Sequence, residues 1–346
     1  MKRLTMKSLS MVLMLVFAVS ILAGCAPTST PVTETPKTEA PTAAKIFKVA
    51  LVLPGSIKDA GWNQAIYDAL MADKVKYGLE TSYQESVSQS EVKDVLSNYA
   101  SGGYDLVIAG DLNFTDPTNE VAPQFPKVMF GIAGGSSAKG DNVVSVSATN
   151  WESTYLAGTL AGLITKTNKI GMLTADNSPT ATKMLNGFKA GAIAQNPKVQ
   201  MVSAFVGSWD DVVKGKELVA SMISQGADVI YTQAGQTNEG AIQAAKEGGV
   251  LAIGGVVDMY SVAPDTVVSS AIASPGAYVD TLIKWLVEGN LQAQGGKTLF
   301  LGVKAGVEDL APFHNFDSKI PQETKDKIAK ARQALIDGII PTPASQ

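Results

Sequence analysis

Lys48–Leu70, KVALVLPGSIKDAGWNQAIYDAL, carries two hydrophobic periods whose order decides the fold. After its leading lysine the stretch is continuously apolar until Pro54-Gly55 stops it, and beyond Gly61 the apolar positions Ile66, Leu70 and Val75 follow helical spacing. A short, unbroken apolar strand is one covered on both faces, and the helix after it brings the chain back to start a parallel neighbour. The same succession recurs. Further strands are expected at Asp105–Ala109, Lys127–Ile132, Val143–Ala148, Lys169–Thr174, Gln200–Val206, Asp228–Thr232, Val250–Ile253 and Val267–Ile272. Helices are expected between most of them, at Glu91–Ala100, Ser153–Ile164, Thr180–Gln195, Asp211–Ser224, Glu239–Glu247 and Tyr278–Glu288. The fold class is therefore α/β, with doubly wound, mostly parallel sheets.

An internal echo gives the number of sheets. SGGYDLVIAG at Ser101–Gly110 and SQGADVIYTQ at Ser224–Gln233 share Ser, Gly and Asp at an offset of 123, and the strands KVALVLPG and KIGMLTAD repeat at an offset of 121. Gly-x-Asp before an apolar strand is also common helix-to-strand punctuation. Two concordant offsets predict two similar lobes in one chain. The length of 346 residues agrees, since a domain takes roughly 100–200. One Cys and one His leave no intrachain disulfide and no Cys/His zinc cluster, and a net charge of −4 without a basic block argues against a nucleic-acid partner.

The lone cysteine has its own explanation. Lys2, Arg3 and Lys7 form a basic head, Met11–Val19 an apolar run too short to span a bilayer, and Leu22-Ala23-Gly24-Cys25 a small-residue ending. This pattern is a secretory signal, and its ending resembles a bacterial lipobox. The resemblance implies cleavage before Cys25 and lipid on its sulfur, with residues 1–24 removed. From Ala26 to Ala44 the sequence APTSTPVTETPKTEAPTAA, with four prolines and six threonines, reads as a disordered tether.

In open α/β sheets ligands sit beyond the carboxyl ends of the strands. Those positions hold Asp59, Trp62 and Asn63 in GSIKDAGWNQ, Asp111 and Asn113 in AGDLNF, Trp209 and Asp210 in GSWDD, Gln236 and Asn238 in AGQTNEG, and Asp258 and Tyr260 in GGVVDMY. Aromatic faces with carboxylates and amides suit a flat polar heterocycle, stacked on its faces and hydrogen-bonded at its edge. Each residue alone has a structural alternative: Asp59 and Asp210 as helix caps, Trp62 as core.

KVALVLPGSIKDAGWNQAIYDAL, with YDLVIAG, FPKVMFGIAGG, YLAGTLAGLITKTNKIGML, GSWDD, GQTNEGAIQAAKEGGVLAIG and VEDLAPF, resembles the basic membrane protein family of substrate-binding lipoproteins. The resemblance spans nearly the whole chain after the tether. It implies a type I periplasmic-binding fold, service to an ABC permease, and a purine nucleoside as ligand. By it, Trp62 and Trp209 map to the base-stacking pair, Asp59, Asn63 and Asp111 to polar contacts with the base, and Asp258 to the ribose carboxylate. Gln236 joins this ligand-binding set from its strand-end position. Val256 and Met259 replace polar residues around Asp258, and Ala273 stands where a lysine commonly reaches the sugar. A purine nucleobase is thus expected as readily as a nucleoside.

The expected organisation is a signal peptide at 1–24, the lipidated Cys25 and tether to 45, one lobe from 46–149 plus 275–302, and a second from 150–274 plus 303–346. An enzyme is the competing class. The sequence has no Gly-x-Ser-x-Gly elbow, Walker loop or tight Asp cluster, and His314 is its only histidine. Glycine-rich GIAGGSSAKG lacks dinucleotide or phosphate-loop spacing. A third alternative keeps binding but hands the ligand to a membrane sensor. No catalytic residue, cofactor or metal is expected. The expected protein is a monomer held to the extracytoplasmic face of the membrane by lipid.

Overall fold

The first strand shows how the layers form. In β1 (Lys48–Val52), Val49 and Leu51 enter one core and Ala50 and Val52 the other, because successive side chains leave opposite faces of a strand. The computed structural model describes residues 45–59 and 61–343. Within them α1 (Trp62–Tyr77), β2 (Glu80–Gln84), α2 (Val92–Ser101), β3 (Leu106–Ala109), α3 (Thr115–Val121), β4 (Met129–Ala133) and β5 (Val143–Ala148) make up the first half. The second half comprises α4 (Glu152–Ile164), β6 (Lys169–Thr174), α5 (Pro179–Gln195), β7 (Gln200–Phe205), α6 (Val212–Ser224), β8 (Val229–Gln233), α7 (Thr237–Glu247), β9 (Leu251–Val256) and β10 (Val267–Ala273). It is followed by α8 (Gly276–Val287), β11 (Thr298–Leu301), β12 (Glu308–Leu310) and α9 (Gln322–Ile336).

Two six-stranded sheets result, ordered β11-β5-β4-β3-β1-β2 and β12-β10-β9-β8-β6-β7. The strand order of one repeats in the other, and β12, antiparallel to β10, is the exception to parallel pairing. The echo in the sequence is an echo in register: Val49 pairs with Leu106 in the first sheet and Ile170 with Val229 in the second. Its Gly-x-Asp signature has a structural task. Gly103 and Gly226 adopt φ of +76° and +99°, which a side chain would resist. Asp105 then accepts from Lys48 N at 2.9 Å, and Asp228 from Lys166 N and Thr167 N at 2.6 and 3.0 Å, so each carboxylate ties down the start of its neighbouring strand.

Helices cover both faces of each sheet. In the first, Ile66 and Leu70 of α1 and Leu282 of α8 pack on Val49 and Leu51, while Leu96 of α2 and Phe114 pack on Ala50 and Val52. In the second, Leu160 of α4, Phe188 of α5 and Ile328 of α9 cover Ile170 and Met172, and Val219 and Met222 of α6 cover Leu173 and Ile230. The chain passes from the first sheet to the second after Ala148, back after Ala273, and across again after Leu301. The expected signal sequence, Cys25 and tether lie outside the described residues. No described helix is long and apolar enough to cross a membrane.

Candidate functional site

The carboxyl ends of both sheets open on one cavity of about 670 Å³. The first lobe contributes Trp62, Asp111, Leu112, Gly134, Gly135, Ser136, Ser147, Tyr278 and Phe300 to its wall; the second contributes Thr174, Ala175, Asp176, Ser178, Thr180, Ala181, Met184, Trp209 and Gln233. Asn150, in the first crossing, completes it. A larger depression of about 890 Å³ lies beside it but is walled by the first lobe alone, sharing Asp111, Leu112 and Ser136. A ligand held between two cores needs walls from both, so the smaller cavity is the candidate site.

Trp62 opens α1 and is fixed on several sides. Its indole N–H donates to Gly110 O at 2.8 Å, and its ring lies 5.9 Å from that of Tyr278 at a 54° tilt. Gly134, with φ of +81°, makes room for it: a Cβ there would stand 2.8 Å from the indole Cη2 and Cζ2. Trp209 differs. It sits in the loop between β7 and α6 and is 56% exposed, although its carbonyl is held by Thr237 N at 3.3 Å. One indole is thus pre-set in the first lobe, and the other stands available on the second.

Among the sequence-selected residues, Trp62, Asp111 and Trp209 line the cavity, whereas Asp59, Asn63, Gln236 and Asp258 do not. Asp59 accepts from the N–H groups of Gly61, Asn63 and Gln64 at 2.9, 3.0 and 3.0 Å, satisfying donors that the start of α1 would leave unpaired. Burial alone would raise its carboxyl, but the hydrogen bonds from Asn63, Gln64 and Gly61 prevail and hold it below the ordinary carboxylate value. The Asn63 amide donates to Asp59 at 2.7 Å and accepts from Gly55 N at 3.2 Å, so it braces the β1–α1 turn. Gln236 is exposed just before α7, while Asn238 is buried and accepts from Thr232 Oγ1 and Ala234 N, both at 2.7 Å.

Asp258 lies beyond β9, where the connection to β10 folds back as Met259 N donates to Ser270 Oγ at 3.0 Å. Its carboxylate meets His314 Nε2 at 2.6 Å, and the His314 ring stacks on Tyr260 with centroids 4.1 Å apart. The lone histidine thus takes the group that the resemblance assigned to a sugar.

Tyr278, Phe300, Asp176, Asn150 and Gln233 line the cavity without having been selected from the sequence. Asp176 stands two residues beyond β6, as Asp111 does beyond β3, so the strand-end rule that chose Asp111 also reaches it. Phe300 sits on β11, a strand the hydrophobic pattern did not disclose. Tyr278 is 3% exposed, and burial, with Glu308 nearby, pushes its hydroxyl well above the ordinary phenol value.

The model of a family described as ABC transporter substrate-binding protein, PnrA-like, matches residues 46–346. A purine-binding protein of Brucella abortus is 30% identical over 291 residues, covering 81% of this chain and 80% of that protein. An ABC transporter nucleoside-binding protein of Lactococcus lactis is 29% identical over 350 residues, covering 94% and 96%. Among solved structures, a transcriptional activator of the comK gene from Bacillus halodurans superposes with a TM-score of 0.75 at 24% identity, covering 85% of this chain and 99% of that one. At that identity the superposition speaks for the fold alone.

Proposed function

The chain belongs to the family of PnrA-like ABC transporter substrate-binding proteins, and from that premise we propose that it captures a purine nucleobase or nucleoside between Trp62 and Trp209 for delivery to an ABC permease. The observation that carries this reading is the placement of one tryptophan from each lobe on the wall of a single interlobe cavity. Two indoles can cover both faces of a planar ring, and aromatic contacts contribute on the order of 1 kcal/mol beyond area burial. Asp111, Gln233 and Asn150 supply acceptors and donors for the ring's edge.

The proposed lobes are residues 46–149 plus 275–302 and 150–274 plus 303–346. The protein binds without turnover, as a monomer. It is carried on the extracytoplasmic face by lipid on Cys25, and the Thr/Pro stretch gives it reach. Two acyl chains or more anchor stably where one is marginal. Cys25→Ser is expected to release a folded binder from the membrane; its retention after a salt wash would refute the anchor.

The decisive test is titration of the purified protein with adenine, adenosine, guanine and guanosine, followed by indole fluorescence and calorimetry. Saturable binding is expected. Trp62→Ala and Trp209→Ala should each weaken it by roughly 2–4 kcal/mol, the range for truncating a buried aromatic anchor. Unchanged affinity in both variants would remove the stacking reading.

A further inference from the structure

The cavity combines aromatic surface and negative charge in a way a neutral purine does not require. Trp62, Trp209, Tyr278 and Phe300 give it four aromatic side chains, and Asp111 and Asp176 place one carboxylate on each lobe. No lysine, arginine or histidine stands among its described lining residues. Each carboxylate binds a backbone N–H of its own turn through one oxygen, Asp111 from Asn113 N at 2.7 Å and Asp176 from Ser178 N at 3.0 Å, which leaves the other for a ligand.

Of the first N–H groups of α5, which ordinarily attract an anion, all but that of Thr180 are engaged or missing. The start of α5 reaches the cavity through Thr180 and Ala181, yet Ser178 Oγ accepts from Ala181 N at 3.2 Å, Ser178 O accepts from Thr182 N at 2.9 Å, and Pro179 has no N–H. Asp176 itself is the anion at that helix end. A phosphate entering here would meet two carboxylates in a partly desolvated space without a basic partner. A cation would meet aromatic faces and the same two carboxylates, each of which favours it.

We infer that the cleft selects a cationic nitrogen heterocycle, a ring made positive by N-alkylation or protonation, over its neutral counterpart, and excludes phosphorylated ligands. This rests on the proposed function in using the same cavity and stacking pair, and it names the ligand's charge. On closure the cation lies between the two indoles with a carboxylate from each lobe beside it. The negative wall then neutralises the ligand and reduces its own self-repulsion.

Calorimetry with two isomers isolates charge from size: 1-methyladenosine, cationic at neutral pH, and N6-methyladenosine, neutral. The cation is expected to bind at least tenfold more tightly, and adenosine 5′-monophosphate at least a hundredfold more weakly than adenosine. Asp111→Asn and Asp176→Asn, with folding checked by circular dichroism, should each reduce the ratio between the isomers at least threefold; substitution at a residue acting only in the fold would weaken both alike and leave the ratio unchanged. Adenosine binding with no preference for the cation overturns this inference and leaves the purine reading standing. Binding of cationic 1-methylnicotinamide without any purine overturns the purine reading and leaves the inference, and no binding of any probe overturns both.

Discussion

A buried carboxylate with an oxygen left unpartnered is a local cost that the rest of the core must offset, and Asp73 is such a case. It lies on α1 at 2% exposure, with Oδ2 unpartnered and the Lys76 ammonium 3.9 Å from Oδ1. Burial first, and Asp280 of α8 second, push its carboxyl from the usual 3.8 up to about 6. Between those values the unfolded chain has lost a proton that the folded one keeps, so this group lowers stability as pH rises through that window, and the loss is complete above it. Asp73→Asn should therefore stabilise the protein by about 1–2 kcal/mol at pH 7.5 and by much less at pH 4. Urea unfolding at both values checks this, and an equal gain at both would deny the titration. The same scale explains what the sequence withheld about the site. Asp59 and Asp111 both follow strands, and spacing does not distinguish a carboxylate that caps α1 from one that lines a cavity. Trp62 and Trp209 were legible because a large aromatic beside a strand's carboxyl end has few purely local uses. Asp258 was not, because its partner His314 lies 56 residues away.

Elements became legible where burial was two-sided. β5 and β6 have the limits that their apolar runs predict, whereas β2, with the sequence ETSYQ, is a partly exposed edge strand whose polar composition hides it. Helix α9 is hidden in the sequence although its buried residues Thr324, Ile328, Ala331 and Leu335 follow helical spacing, because charged residues between them dominate its composition. Helices α4 and α5 show what a pattern of apolar residues does not reveal. Their backbones touch: a Cβ on Gly158 would stand 1.9 Å from Phe188 O, and one on Gly191 2.0 Å from Tyr155 O. Intrinsic helix preference favours alanine over glycine by about 1 kcal/mol. Overpacking against a rigid backbone costs typically 1–3 kcal/mol or more, so it prevails here. Gly158→Ala is expected to destabilise the protein by about 1–2 kcal/mol net. A thermal melt showing a higher midpoint for this variant would mean that the two helices can separate without loss.

At the scale of the whole molecule, the echo was readable because it lies in central strands, where a repeated core imposes a repeated sequence. The third crossing broke it, since β11 and β12 join different sheets and have no counterpart earlier in the chain. The crossings are bound to one another. Glu308, 1% exposed, accepts from Thr149 Oγ1 and Ser153 N at 2.8 Å each and also from Asn150 N. Ser274 N donates to Val307 O at 2.8 Å, and Thr149 N to Leu301 O at 3.1 Å. Burial pushes the Glu308 carboxyl up, and the hydrogen bonds from Ser153, Thr149 and Asn150 offset part of that rise. Because Glu308 joins β12 to the first turn of α4, it holds residues 150–153 to the second lobe. The bend needed to close the cavity then belongs where the chain crosses between the lobes, at 149–150, 274–275 and 302–303. A few backbone dihedrals at the three crossings can absorb such a rotation without opening either core. Bound ligand stabilises the closed form only as far as it touches both lobes, and the wall between Trp62 and Trp209 offers such contacts. Small-angle scattering should therefore show a smaller radius of gyration with a saturating, calorimetrically verified purine than without it. Trp209→Ala, which removes a second-lobe contact, should diminish that change even at saturation. Superimposable profiles with and without a verified ligand would mean that the lobes hold one fixed separation and that the ligand enters a cavity already formed.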